Sequence, residues 1–285
     1  MLLATLLVGA GALAPAPALR PVQPPALGRA VIVQRRTTTP LMQEELAAWQ
    51  RPARLAIAAT WASAIVYVAA ASPGGSAEAA ARDTELIISA LDPTSDLNPI
   101  FFCVFNALGI MPGVYAATLL PGARQNKPVP PATIATSFAL GFGGLAPYLA
   151  LREARPSATA EDLGPVARYV TESKLFCAAP LLAGSLALAF KLATIGDFDG
   201  ALGGYAELFA TSRLVHVSSL DLIVLSLFFF EPAREDMCRR GWWAADGGAP
   251  TSAERARLLA FCALPVIGPA LYLLLRPELP SVDEM

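Results

Sequence analysis

Residues 98–152 read NPIFFCVFNALGIMPGVYAATLLPGARQNKPVPPATIATSFALGFGGLAPYLALR, and this stretch decides the fold. Its two apolar segments, residues 99–120 and 132–151, each have about the 20 residues that a helix needs to cross a bilayer. A short basic loop with Arg124 and Lys127 separates them. The pattern predicts a transmembrane helical hairpin, and Asp96 or Asn98 before Pro99 is a favourable helix start.

The composition of the whole chain agrees with a membrane protein. Of its 285 residues, 55% are hydrophobic and 15% are charged, whereas about a quarter are charged in a typical soluble domain. The 21 Gly and 25 Pro are also tolerated better in membrane helices than in soluble ones. The sequence therefore predicts an all-α fold, a polytopic transmembrane helical bundle of five to six spans.

Four more segments complete the predicted bundle. They are residues 55–72, 176–195, 202–230 and 258–275. Residues 55–72 are Ala-rich and allow two interpretations, a retained first span or a removable thylakoid-transfer signal, of which we prefer the first. Residues 202–230 form either one long tilted helix or an interfacial helix followed by a span. Residues 231–257 are predicted to be a charged loop. The predicted divisions are an N-terminal region at 42–98, the bundle at 99–277 and an acidic tail at 278–285.

The N-terminal residues have the composition of a targeting segment. Residues 2–14 are apolar and lead into small residues, as in a signal peptide, whereas residues 15–41 are rich in Pro and Arg and contain no acidic residue. A signal followed by a transit peptide is typical of import into complex plastids, so we interpret residues 1–41 as a two-part presequence. The alternative is a secretory signal with a disordered linker. The predicted location is a plastid membrane, thylakoid or envelope.

Composition and motifs exclude several function classes. Beyond residue 41 acidic residues outnumber basic ones, which argues against nucleic acid as a partner and leaves membrane lipids as the expected surroundings. The four Cys show no CxxC spacing and no Cys/His cluster, so no metal site or disulfide framework is predicted. The sequence contains no recognised nucleotide-binding or hydrolase motif, predicts no catalytic residue and leaves any cofactor unknown.

Polar and aromatic residues inside the apolar segments are the candidates for ligand binding. Ionisable groups at membrane depth are functional hypotheses by default, and a Tyr that follows a helix-kinking Pro can donate to a freed carbonyl. The candidate ligand-binding residues are His216, Arg213, Asn106, Tyr115, Tyr148 and Tyr272. The alternative is structural, with Asn106 joining helices and the tyrosines lying at the interface. A single His could ligate the metal of a chlorophyll or haem, although the sequence offers no second ligand.

Small residues at four-residue spacing predict close helix packing. In lipid such faces let helix backbones approach each other. The pattern occurs at Gly109 and Gly113, at Ala139 and Gly143, and at Ala179, Ala183 and Ala187.

The same segments resemble a family of multi-pass membrane proteins shared by cyanobacteria and plastids. The likeness covers about residues 98–277 and rests on Phe105-Asn106, Gly109, Pro112, Tyr115-Ala116, Leu119-Leu120-Pro121, residues 138–148, Ser212-Arg213, His216, Asp221, Leu264-Pro265, Gly268-Pro269 and Tyr272. The resemblance implies a photosynthetic membrane and transfers no catalytic residue. The final Gly-Pro-x-x-Tyr segment is also similar to a plastid family linked to neoxanthin formation.

Two functional hypotheses follow. The first is a membrane protein that assists the assembly of photosynthetic complexes or binds pigment or lipid. The second is a membrane enzyme or carrier for a lipophilic substrate such as a carotenoid or lipid.

Overall fold

The structure, a computed structural model, describes residues 40–123, 130–153, 155, 157–243 and 250–282, with side chains from residue 52 onward. Most of the predicted presequence, the loop residues Arg124 and Lys127, and the end of the predicted acidic tail lie outside these residues.

The described residues form eleven α-helices and no strand, which confirms the all-α prediction. The helices are α1 Pro40–Ala70, α2 Ala77–Leu91, α3 Pro99–Leu119, α4 Pro130–Leu140, α5 Phe142–Leu151, α6 Ala179–Ala193, α7 Phe198–Thr211, α8 Arg213–Phe228, α9 Phe230–Arg239, α10 Ser252–Ala263 and α11 Ile267–Leu275. Wider π-helical turns occur at Ala167–Thr171 and Lys174–Ala178. The predicted start of α3 is confirmed, because Asn98 Oδ1 accepts hydrogen bonds from the backbone N–H groups of Ile100 and Phe101.

Four helical stretches are long and apolar enough to cross a membrane. They are Pro52–Ala70, Pro99–Gly122, Lys174–Ala193 and Arg213–Arg239. The fourth stretch corrects one prediction, because residues 231–239 are not a loop but helix α9, which directly continues α8. Residues 202–230 form two helices that meet at Ser212, which excludes the single long helix.

The predicted span at residues 132–151 is instead a pair of short helices. Helices α4 and α5 meet at Gly141, whose φ of +53° lies in the left-handed region. The pair folds back on itself: a Cβ added to Gly144 would lie 2.8 Å from the carbonyl carbon of Thr136. With 11 and 10 residues, neither helix alone reaches the length that a bilayer requires.

The predicted span at residues 258–275 is broken in the same way. Helices α10 and α11 meet at Val266, which has a φ of +67°. A Cβ added to Gly268 would lie 2.2 Å from the carbonyl oxygen of Phe261, so these two helices also fold back on each other. An uninterrupted apolar segment therefore does not guarantee an uninterrupted helix.

Helix α3 lies at the centre of the bundle and packs against α4, α6, α8 and α9. Half of the residues in its most apolar 18-residue segment are buried, whereas only 6% are buried in the corresponding segment of α1. The predicted small-residue faces are used only in part. Gly113 packs against Leu181, whereas a Cβ on Gly109 would meet no other atom within 4 Å. Ala183 and Ala187 are exposed on the outer face of α6.

Candidate functional site

Helix α9 carries the most concentrated buried charge in the described part of the chain. Residues 230–240, which are α9 and the residue after it, read FEPAREDMCRR, and Glu231, Glu235, Asp236, Arg239 and Arg240 are all buried. A charge removed from water is expensive unless it is paired and hydrogen-bonded. Some of the pairs form within this stretch, and the remaining partners come from other parts of the chain.

One half of the cluster is organised around Arg152, which directly follows α5. Arg152 Nη2 binds Glu231 Oε2, and Arg152 Nη1 lies 2.5 Å from Glu235 Oε2. Glu235 Oε1 also accepts from Arg239 Nη1 at 3.0 Å and from the backbone N–H of Arg155 at 3.0 Å. The end of α5 is thereby fastened to α9.

The other half is organised around Asp236. Its Oδ2 accepts from Arg240 Nε at 2.9 Å, from Arg276 Nη1 at 2.9 Å and from the Tyr272 hydroxyl at 2.8 Å. Glu172, after the first π-helical turn, binds Arg240 Nη2 at 2.7 Å and Arg276 Nη2 at 2.9 Å. These contacts fasten the end of α11 to α9 and to that turn.

The cationic side chains also bind backbone carbonyls at helix ends, which have no partner within their own helix. Near the end of α3, Arg276 Nη1 donates to Ala117 O at 2.9 Å and Arg239 Nη2 donates to Thr118 O at 2.8 Å. At the end of α11, Lys174 Nζ donates to Leu273 O at 3.0 Å and to Arg276 O at 2.6 Å. Cations at helix C-termini also interact favourably with the helix dipole.

We call these groups the α9 ion cluster. Its members are Arg152, Glu172, Glu231, Glu235, Asp236, Arg239, Arg240 and Arg276. Four guanidinium groups face four carboxyl groups. Burial alone would lower the pKa of the Arg152 and Arg240 guanidinium groups, but the adjacent carboxylates hold both pKa values above the ordinary value for arginine. Arginine does not release its proton in proteins, so the guanidinium half of the cluster is a set of fixed charges. Fixed charges of this kind can hold helix ends in place.

Two matched sequence motifs supply the cluster from outside α9. Residues 148–152 read Tyr-Leu-Ala-Leu-Arg and residues 272–276 read Tyr-Leu-Leu-Leu-Arg. In both motifs the backbone N–H of the Arg donates to the carbonyl of the Tyr at 2.8 Å. Sequence reasoning missed the cluster, although this repeat and the four-residue charge spacing in α9 were signals that could have found it.

A second polar group lies around His216. His216 Nδ1 lies 2.9 Å from Phe209 O, and Nε2 lies 2.7 Å from the Tyr67 hydroxyl of α1. Arg213 Nε lies 3.4 Å from Pro73 O just beyond α1. Two of the six predicted ligand-binding residues, His216 and Arg213, therefore both connect α8 to the end of α1.

The other four predicted residues lie apart from His216. Asn106 Nδ2 donates to Ala90 O at 3.1 Å and to Phe102 O at 2.9 Å. The Tyr115 hydroxyl donates to Leu225 O at 2.7 Å. Tyr272 belongs with the α9 ion cluster, and Tyr148 is buried one helical turn before Arg152. The six residues do not converge on one ligand site, and Asn106, Tyr115 and Tyr272 each connect a different pair of helices.

Asp221 marks the break between α4 and α5. Its Oδ1 accepts a hydrogen bond from the backbone N–H of Phe142 at 2.8 Å, at the first residue of α5. A Cβ on Gly141 would lie 1.6 Å from Asp221 Oδ2, so only glycine allows the carboxylate this close. An acidic side chain at a helix N-terminus satisfies a free donor and complements the dipole. Helix α5 is thus held at its start by Asp221 and at its end by the α9 ion cluster.

Metal-binding side chains are dispersed. Within the described residues, no group of three or more His, Cys, Asp or Glu side chains could hold a metal ion.

Comparisons with protein families, with curated proteins and with solved structures returned no match to this chain. The resemblance to membrane proteins of cyanobacteria and plastids stays a prediction.

Proposed function

We propose that this chain is an integral membrane protein of a plastid that acts by binding, either by assisting the assembly of photosynthetic complexes or by holding pigment or lipid. The observation that carries the proposal is the exposure of α1. Only 6% of the most apolar window in Pro52–Ala70 is buried, and Ile65 and Val66 are 50% and 65% exposed. This helix contributes little to the core of its own chain, so most of its apolar surface is available to lipid and to membrane partners.

Helix α6 and the turn before it support the same proposal. Phe176 and Phe190 are exposed at the two ends of the face that carries Ala183 and Ala187. Small residues in lipid let a second helix approach closely, while large apolar residues add contact area. Two separate apolar faces are therefore open to other membrane components.

The roles of the polar side chains favour binding over catalysis. The α9 ion cluster, Asn106, Tyr115 and Tyr272 all connect helix ends or helix faces of this chain. Catalytic groups have to be poised towards a substrate, with a pKa matched to proton transfer. Groups that bind each other in this way stabilise a scaffold.

Plastid location and the number of membrane crossings are parts of the same proposal. The presequence composition of residues 1–41 supports import into a plastid, in the thylakoid or the envelope. Five to six crossings require one or both folded-back pairs, α4–α5 and α10–α11, to traverse the bilayer in addition to the four long helices. Labelling of single cysteines introduced at Ser72, Arg155 and Ser281 in sealed membranes, with the native cysteines replaced, would establish the number.

Co-purification tests the proposed function. Tagged protein extracted from plastid membranes in mild detergent is expected to migrate in a complex larger than the monomer and to carry pigment or specific lipid. Val66→Phe should weaken that association, whereas Ile88→Phe, at a residue of α2 that is also 65% exposed, is the matched control. A monomer without pigment or specific lipid, whose migration neither substitution changes, would contradict the proposal.

A carrier or membrane enzyme for a lipophilic substrate is the second candidate. The observation that favours it is the break at Gly141 with Asp221 beside it, because broken helices in membranes often border substrate sites. The test is the pigment and lipid profile of a deletion strain that is complemented with Asp221→Asn, His216→Ala or Arg213→Ala. A profile that deletion leaves unchanged would exclude this candidate.

A further inference from the structure

The imidazole of His216 has a defined tautomer. Phe209 O can only accept a hydrogen bond, so His216 Nδ1, 2.9 Å away, carries the proton and donates it. With Nδ1 as the protonated nitrogen of a neutral imidazole, His216 Nε2 carries the lone pair and accepts the hydrogen bond of the Tyr67 hydroxyl at 2.7 Å. The orientation of the ring is set by a backbone carbonyl.

This arrangement is the one that prepares a histidine to bind a metal. Metal-ligating histidines almost always donate their second N–H to a carbonyl, a carboxylate or water, which fixes the ring and raises the basicity of the ligating nitrogen. In His216 the prepared nitrogen is Nε2. Its partner, Tyr67, is 37% exposed and lies three residues before the end of α1, so this hydrogen bond lies at the surface of the chain.

The residues around His216 determine which class of metal-containing molecule fits there. In the described residues no cluster of side chains surrounds a bare metal ion, so a metal bound here has to bring its equatorial ligands with it. A tetrapyrrole does this and needs only one axial nitrogen from the protein. The neighbouring exposed side chains on the same side of α8, Leu220 and Ile223, are apolar, and the Phe209 ring lies 4.1 Å from the imidazole. An apolar macrocycle is compatible with these neighbours.

We propose that His216 Nε2 is the axial ligand of a metallotetrapyrrole, and that the Tyr67 hydroxyl occupies this position until the ligand displaces it. The proposal rests on the binding function proposed above and makes its ligand specific. Binding breaks one hydrogen bond, from Tyr67 to Nε2, and forms one bond from Nε2 to the metal, with no change in oxidation state.

Titration of the purified full chain in detergent with zinc pheophorbide, and separately with the metal-free pheophorbide, tests the proposal. The zinc form is expected to bind at least about tenfold more tightly and to show the absorption shift of an axially ligated metal. His216→Gln should abolish the shift and equalise the two affinities. Tyr67→Phe should tighten zinc binding about fivefold, because the competing hydrogen bond is lost. Tyr169→Phe, at a tyrosine that is 69% exposed, is the matched control and should change nothing.

Equal affinity for the zinc and metal-free forms, an absorption shift that persists in His216→Gln, or weaker binding in Tyr67→Phe would each overturn the proposal. The tyrosine variant keeps the test decisive if the histidine variant fails to fold. Failure here leaves the proposed binding function standing if the complex found by co-purification still responds to Val66→Phe.

Discussion

The two folded-back helix pairs, α4–α5 and α10–α11, differ in how they are fastened despite their common design. In both pairs an apolar segment breaks at a residue with positive φ, and in both the second helix ends in Tyr-Leu-x-Leu-Arg beside α9. Helix α5 is held at both ends, by Asp221 at its first residue and by the contacts of Arg152 after its last. Helix α11 is held mainly at its C-terminal end, where Arg276 binds two carboxylates and two backbone carbonyls.

The difference shows that the same Tyr-Leu-x-Leu-Arg motif can fix one helix along its neighbour or join several helices at one end of the bundle. Asp221 and Glu231 both belong to the continuous stretch Arg213–Arg239, so the ends of α5 are attached to one rigid helix. Arg276 instead joins α3, α9 and the first π-helical turn, Ala167–Thr171. The first attachment sets the position of α5 along α8–α9, and the second holds together the end of the bundle.

The largest effect is expected from Asp236, the carboxylate that several cations share. Asp236→Ala leaves Arg240 and Arg276 buried without this partner and removes the acceptor of Tyr272, so we expect a loss of about 3–5 kcal/mol in unfolding free energy. Chemical denaturation in detergent measures it. Asp199→Ala, at an exposed residue of α7, is the control. A loss below about 1 kcal/mol would show that the cluster contributes little to stability.

The second prediction concerns the stability that is lost when Arg152 or Arg276 is replaced, and whether a second substitution restores it. Arg152→Met should cost about 3 kcal/mol because it leaves Glu231 buried without its partner, and adding Glu231→Leu should recover much of that loss. Arg276→Met should cost at least as much, and no single second substitution should repair it because Arg276 joins four groups. The unfolding free energies of the single and double variants form the test. Equal repair of both sites would remove the contrast between the helix pairs.

Substitutions at the two helix breaks, Gly141 and Val266, should change the unfolding free energy by different amounts. Gly141→Ala places a methyl group against the Asp221 carboxylate at a positive φ and should cost about 2–3 kcal/mol. Val266→Gly relieves a positive φ but loses the burial of the Val side chain, so we expect a net change within about 1 kcal/mol. Melting temperatures of both variants check the contrast, and a silent Gly141→Ala would show that the break tolerates a side chain.

A smaller loss than at Asp236, Arg152 or Gly141 is expected from Tyr272→Phe. This substitution removes only the hydroxyl that donates to Asp236 and should cost about 1.5–2 kcal/mol, the usual value for a buried hydrogen bond to a charged group. Thermal unfolding in detergent measures it, and the exposed Tyr169→Phe should leave the melting temperature unchanged. A Tyr272→Phe variant as stable as the unchanged protein would mean that the two arginines alone satisfy Asp236.

The features that the sequence predicted are those that depend on residues close together in the chain. The start of α3 was predictable because Asn98 and Pro99 act on the adjacent backbone, within a few residues. Three of the four long helices were predictable because apolar length is a local property, whereas the fourth was predicted to end at residue 230 and continues to Arg239. The breaks at Gly141 and Val266 were not predictable, because the apolar pattern alone does not distinguish a folded-back pair from a single helix.

The candidate site shows the same division. Sequence reasoning identified Tyr272 as a candidate but placed Glu231 and Asp236 in a loop, because dense charge usually lies in water. The charge pattern of α9 permits a helix, but its burial is stabilised by contacts with Arg152 and Arg276. These two residues are about 80 and 40 positions away in the chain. The sequence by itself determined an all-α chain with helices long and apolar enough to cross a membrane, and it located the start of α3. Only the tertiary structure decided which charges are buried and which segments fold back, because the stabilising partners come from distant parts of the chain.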